Sequence, residues 1–282
     1  MLYMKGLEGV IGVSIAHPVW GRTKPEDPKD QHIGWFLRGD EEPVQSALGR
    51  GSFLCKGAIP DHINHAKTIR ELYEKADPNY NGRYSVPVLW CKQESTIVCN
   101  ESAIIMEILN TAFNDFARFP EVDMFPVDLE VAQREATGWV SSEICEGVYK
   151  CGFAKTQEDY TNAFHTLFAA LDRLEALLST QRYICGPRAT GVDLRAFLAL
   201  LRFDEVYFVY FKCNKKMIRF SYPNLFNFVK DVYQWDNVAR SVNMEHIKMT
   251  YYTAHPDLNT FAIVPIGAPD DWASPHDRHR FQ

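Results

Sequence analysis

The run TGVDLRAFLALLRFDEVY, Thr190 to Tyr207, carries both a start signal and a burial pattern. Thr190 can accept the backbone N–H of Asp193 while the Asp193 carboxylate reaches back to Thr190, a carboxylate version of the capping box that satisfies two orphan donors. Leu194, Ala196, Phe197, Leu198, Ala199, Leu200, Leu201 and Phe203 follow with almost no polar face. A helix apolar nearly all round belongs inside a helical domain rather than on its surface. It is too short to span a membrane.

The neighbouring sequence supplies partners for that helix. In Gln157–Leu178, Phe164, Leu167, Phe168, Leu171, Leu174 and Leu178 recur at steps of three and four, a one-sided stripe that would pack on it. Pro223 suits the first turn of a further helix over Asn224–Gln234. The prolines of Phe116–Leu129 mark a linker, so three regions are expected: 1–117, a linker at 118–127, and a helical domain at 128–282.

Bulk properties exclude several function classes. The chain has 282 residues, a net charge of −6 and no basic stripe, which argues against a nucleic-acid surface. Apolar runs are broken by charges well before a membrane span, and the N-terminus lacks a signal-peptide layout. The seven cysteines (55, 91, 99, 145, 151, 185 and 213) show no C-x-x-C spacing, which fits reduced thiols in a cytoplasmic protein. His62 and His65 have H-x-x-H spacing without a completing ligand, so no metal is expected; they read as the solvated face of a helix starting at Asp61.

The first region reads as an α/β unit. Met1–Glu8 looks like the tail of a helix broken at Gly9, and Val10–Ala16 like a β-branched strand ended by Pro18. Arg22–Pro60 is rich in Pro and Gly and reads as loop. Arg83–Trp90 and Ser95–Cys99 read as strands of a hairpin turning at Lys92–Glu94, followed by a helix opened at Asn100, Glu101 and Ser102.

Several stretches together resemble one family. The Thr-x-x-Asp box preceded by Tyr183-Ile-Cys-Gly186 resembles the C-terminal domain of glutathione transferases. Arg202–Asn214 (RFDEVYFVYFKCN), Glu146–Ala154 (EGVYKCGFA) and His246–His255 (HIKMTYYTAH) resemble the Xi class, the glutathionyl-hydroquinone reductases. Thr250 and Ala254 depart from the last of these motifs, and the tail from Ile263 resembles the Xi-class extension. The fold implied is α/β plus all-α, a thioredoxin-like domain followed by a helical domain, in a cytoplasmic homodimer without membrane or nucleic-acid partners.

The resemblance also implies a chemistry. A thiolate attacks the sulfur of a glutathionyl-hydroquinone, the ring leaves as hydroquinone, and a second glutathione resolves the mixed disulfide. Trp35, Arg83, Tyr84, Ser85, Val86, Glu101 and Ser102 match positions that hold glutathione, with Pro87 cis after Val86. Tyr149 would exchange a proton with the aromatic substrate, and Tyr207 and Tyr251 would donate hydrogen bonds to the thiolate, Tyr251 being preferred over Tyr252 on the motif alone. The family's first strand and its Cys-Pro-Trp-Ala-like turn are not found, so the chain is expected to be a truncated form lacking the catalytic cysteine. A non-catalytic ligand-binding or scaffold protein, or a conjugating transferase, are the alternatives.

Overall fold

In the computed structural model, which describes residues 1–267 and 271–281, the helical part is built on the two helices singled out by sequence. Helix α5 spans Gln157–Leu178 with Thr156 as its N-cap, and helix α6 spans Gly191–Arg202 behind the full Thr190–Asp193 capping box. Around them lie α3 (Glu130–Trp139), α4 (Gly147–Gly152), α7 (Phe208–Tyr210), α8 (Ile218–Ser221), α9 (Pro223–Tyr233) and α10 (Met244–Ala254). One continuous core joins Leu167, Leu171, Leu174, Phe197, Leu200, Phe203 and Phe228. Leu198 is the exception on α6, 46% exposed.

Two wide turns interrupt this regular packing. Val140–Cys145 and Phe203–Tyr207 are π-helical, closed by bonds five residues apart, from the Glu146 N–H to the Ser141 carbonyl and from the Phe208 N–H to the Phe203 carbonyl. Such bulges re-aim the side chains that follow and collect at functional sites. The first delivers Tyr149 and the second ends on Tyr207.

The tail returns to this core. Arg278 is fully buried, and its guanidinium donates to the carbonyls of Leu178, Gln181 and Arg182 at 2.5–2.7 Å. A cation there satisfies orphan carbonyls and opposes the negative end of the α5 dipole.

The first region departs from expectation in several places. The helix tail expected at the start is present: Leu7 N–H bonds to the Leu2 carbonyl and Gly6 N–H to that of Tyr3, with Gly6 left-handed at φ 64°. That pair is a Schellman motif, so the break falls at Gly6, not Gly9. Val10–Ala16 is not a strand; Val10 and Val13 face solvent and only Ile15 pairs, with Ile59. The strand is β1 (His17–Arg22), antiparallel to β2 (Ile33–Phe36), which lies in the stretch expected to be loop. Pro18 is tolerated inside β1 because a bulge falls between His17 and Trp20, where no ladder donor is needed.

Two more corrections are local. Asp61 does not start a helix; its carboxylate accepts the N–H groups of Ile63, Asn64 and Ala66 in a turn that exposes His62 and His65. Helix α1 begins only at Ile69 and runs to Ala76, capped by Thr68. Of the first β-rich run, only β5 (Leu89–Cys91) is strand, paired with β6 (Thr96–Cys99) before α2 (Ser102–Thr111). With the short hairpin β3 (Val44–Gln45) and β4 (Ser52–Phe53), the described strands form three separate two-stranded sheets.

His17 fixes the β1 bulge and makes the fold acid-sensitive. Its Nδ1 accepts the Val19 N–H and its Nε2–H donates to the Phe53 carbonyl, both at 3.1 Å, so the buried ring is held neutral. Burial lowers its pKa to about 4. The unfolded chain takes up this proton near 6.5, so His17 stabilises the fold fully above that pH. About 2–3 kcal/mol is lost as pH falls from 6.5 through 4. Melting temperature against pH should therefore be flatter in this window for His17→Gln than for the parent; parallel curves would contradict the assignment.

Candidate glutathione and aromatic site

Three hydroxyls meet at one point between α4, the second π-turn and α10. Tyr251 hydrogen-bonds to the hydroxyl of Tyr149 and, at 2.9 Å, to that of Tyr207. Tyr207 is 2% exposed and Tyr251 6%, whereas Tyr149 is 38% exposed, so the cluster runs from the core to an open face. Burial, and next the neighbouring Tyr251, pushes both Tyr149 and Tyr207 well above the ordinary phenol range. These two hydroxyls stay protonated and can donate. Tyr252, the adjacent residue, turns the other way and donates to the Glu205 carbonyl at 3.0 Å.

Arg202 lies beneath this cluster, its Nη1 donating to the Tyr251 hydroxyl at 3.4 Å. Tyr149 is backed by Phe211, and Gly152 permits that contact, since a Cβ there would sit 2.3 Å from the Phe211 ring. Sequence reasoning missed Arg202 although it heads a quoted motif.

The second half of the site is built on the β5–β6 hairpin. The Val86–Pro87 peptide is cis. The Tyr73 hydroxyl donates to the Ser85 carbonyl at 2.9 Å and itself accepts from Asn100, tying the segment before Val86 to α1 and to the α2 entry. Arg83 is exposed and its carbonyl accepts from the Tyr80 hydroxyl, while Tyr84 packs on His32 and Tyr73. Glu101 and Ser102 stand at the α2 N-terminus, both exposed, and the Glu101 side chain makes no capping bond. The free N–H groups of that first turn favour an anionic ligand group. Trp35 lies on β2 and packs, as Val86 does, against the cluster of Leu37, Ile69, Leu72 and Tyr73.

A run of rings joins the halves. Trp35 meets Trp20 at 5.0 Å, Trp20 meets His255 at 5.9 Å, His255 meets Phe153 at 5.1 Å, and Phe153 stacks on Tyr149 at 6.4 Å. Trp20 was missed entirely, because only the β1–β2 register, which sets it opposite Trp35, reveals it. The half-buried His255 ring, its pKa lowered by burial, stays neutral in this wall.

No cysteine sits at the join among the described residues. Cys91 and Cys99 end the hairpin strands, Cys55 contacts His246 at 2.9 Å, and Cys151 and Cys213 are buried free thiols. Cys145 donates to the Arg195 carbonyl, and burial pushes its thiol up to about 11. Cys185 sits in the turn before α6, its thiol raised by burial.

A buried helix opened by a Thr-x-x-Asp box, beside a cis-proline hairpin and an open helix start, defines a glutathione transferase. Residues 157–231 match the family model of the glutathione S-transferase C-terminal domain. Over 278 residues the chain is 38% identical to glutathionyl-hydroquinone reductase YqjG of Escherichia coli (strain K12), spanning 99% of this chain and 77% of that protein. It is 38% identical over 268 residues to glutathionyl-hydroquinone reductase PcpF of Sphingobium chlorophenolicum, spanning 95% of this chain and 77% of that one. The glutathione-bound structure of YqjG superposes with a TM-score of 0.87 at 37% identity, covering 99% of this chain and 83% of that one. The Xi transferase of Phanerochaete chrysosporium gives 0.85 at 38% identity, covering 98% and 86%. The chain belongs to the Xi class of glutathione transferases, the glutathionyl-hydroquinone reductase family.

Proposed function

We propose that residues 1–282 bind a glutathionyl-hydroquinone across the two half-sites but, lacking a thiol at the join, do not reduce it. The observation that carries this reading is the hydroxyl cluster of Tyr149, Tyr207 and Tyr251 at the end of a ring wall that starts at Trp35. Trp35, Val86, Glu101 and Ser102, with Arg83, Tyr84 and Ser85, hold the glutathione moiety: the backbone of Val86 pairs with its cysteinyl part, and the α2 start takes its γ-glutamyl carboxylate. The hydroquinone ring lies against Tyr149, the exposed member of the cluster, which donates a proton or a hydrogen bond to it.

In the full reaction of this family, a thiolate takes the glutathione sulfur, the ring carbon takes a proton, and a second glutathione releases the thiol as glutathione disulfide. The residues described here supply the binding and the proton. The nucleophile is what they lack, and that is why ligand binding without turnover is the expected behaviour.

Calorimetric titration with a glutathionyl-hydroquinone tests this placement. Tyr149→Phe should weaken binding about tenfold, the loss of one ligand hydrogen bond. Tyr252→Phe, whose hydroxyl serves the Glu205 carbonyl instead, should leave it unchanged. Equal losses in the two variants would place the ring elsewhere.

A further inference from the structure

Arg202 is a half-buried cation with an enclosed Nε and no anion beside it among the described residues. Among the described residues no carboxylate lies within ion-pair distance of it, and its Nε is enclosed with no hydrogen-bond partner. By contrast, the nearby buried Arg219 is paired with Glu205 and Asp271. The one hydrogen bond of Arg202 is to a phenol, Tyr251. A guanidinium held away from water normally demands a counter-charge, and an uncompensated one is expensive.

The groups facing it are phenols and a thiol, with no carboxylate among the described residues. Tyr207 comes from the second π-turn, which follows it, Tyr251 from α10, Tyr149 from α4, and Cys145 from the first π-turn. The guanidinium stays charged despite its burial, as arginine does throughout proteins, and it is solvated here by a phenol oxygen rather than by a carboxylate. The Cys145 thiol stays protonated, committed to the Arg195 carbonyl. Positive potential therefore passes up through the hydroxyls of Tyr251 and Tyr149 to the open face where Tyr149 is exposed.

We propose that Arg202 is a positioning residue that acts through the Tyr251–Tyr149 hydrogen bonds to make the pocket select the ionised, phenolate form of its aromatic ligand. The inference rests on the placement of the ring against Tyr149 given above. The chain of donors then has one direction. Arg202 donates to the Tyr251 oxygen, Tyr251 donates to Tyr149, and Tyr149 donates outward to an oxygen anion. A ligand oxyanion supplies the missing counter-charge without entering the core.

The test uses the full 282-residue chain and two probes of nearly equal size. These are 4-nitrophenol, whose ionised form has its own visible absorption band, and 4-nitroanisole, its methyl ether, which cannot ionise. At a pH where free nitrophenol is mostly neutral, the bound ligand should show the phenolate band and bind at least about tenfold tighter than nitroanisole. Arg202→Met should abolish both the band and the preference while nitroanisole still binds; Arg202→Lys should restore much of both. A neutral spectrum for nitrophenol on the parent chain, or equal losses of both ligands in the Met and Lys variants, would overturn the proposal. Should the Met variant not fold, the parent spectrum and the Lys variant decide it alone. Nitroanisole binding that Tyr149→Phe disturbs, with no phenolate preference, would defeat the role of Arg202 and leave the ring placement standing. Absence of binding of either probe would overturn both.

Discussion

Replacing Asp193 by Ala should cost about 3–5 kcal/mol of stability, the largest loss expected of any single substitution in the α6 region. The carboxylate is fully buried and accepts three donors: the Ile184 N–H at 2.8 Å, the Thr190 N–H at 2.7 Å and the Thr190 hydroxyl at 2.8 Å. Alanine would leave all three unpaired inside the core and remove one arm of the capping box. It would also release the turn before α6, where the Tyr183 and Gly186 backbones bond each other. Chemical denaturation should show a midpoint shift at unchanged slope. An effect below about 1 kcal/mol would mean that the turn, not the carboxylate, holds the helix start. Burial pushes this carboxyl up to about 6, so its proton linkage runs against that of His17: it adds stability as pH falls from 6 toward 4. The difference between parent and His17→Gln is therefore the informative curve.

Hydroquinone release from a glutathionyl-hydroquinone by residues 1–282 should not exceed the uncatalysed rate, a deficit on the order of 10⁴ or more against an enzyme with its nucleophile in place. The reason is positional and electrostatic. The thiols of Cys55 and Cys145 are pushed up to about 11 by burial, so thiolate is scarce at neutral pH. Cys151 and Cys213 are free thiols enclosed in the core. Cys91 and Cys99 end the hairpin strands, and Cys99 Sγ already accepts the Glu101 N–H at 3.4 Å just ahead of α2. A steady-state release assay against buffer checks this. Glutathione conjugation to a model electrophile, without hydroquinone release, would instead favour a conjugating transferase that uses a hydroxyl.

What could be read from the chain was local. The Thr190–Asp193 box and the limits of α5 each depend on residues within a few positions and are present as expected, and the cis Val86–Pro87 bond is present as the family resemblance implied. What could not be read depends on partners far away. Val10–Ala16 has the β-branched composition of a strand, yet only Ile15 finds a partner, while His17–Arg22 becomes the strand because Ile33–Phe36 pairs with it. Propensity describes a surface that fits a sheet; it does not supply the sheet.

The site shows the same division. Tyr149, Tyr207 and Tyr251 could be named from motifs, but their meeting at one oxygen required the packing of α4 and α10 around a π-turn. Tyr251 and Tyr252 are neighbours in sequence, and only the face each takes on α10 separates a cluster hydroxyl from one that serves a carbonyl. Asp61 was misread because an Asx-type turn and a helix N-cap use the same first bonds, to the second and third N–H groups after the side chain. His65 at φ 55° is what separates them.

The most direct test of a binding site without its sulfur is the intact mass of the 282-residue chain after exposure to a glutathionyl-hydroquinone, with no second thiol present to resolve an intermediate. The account predicts a chain that binds the ligand yet keeps its unmodified mass. A chain carrying one glutathione in disulfide linkage on any of its own cysteines, with one hydroquinone released for each, would contradict it.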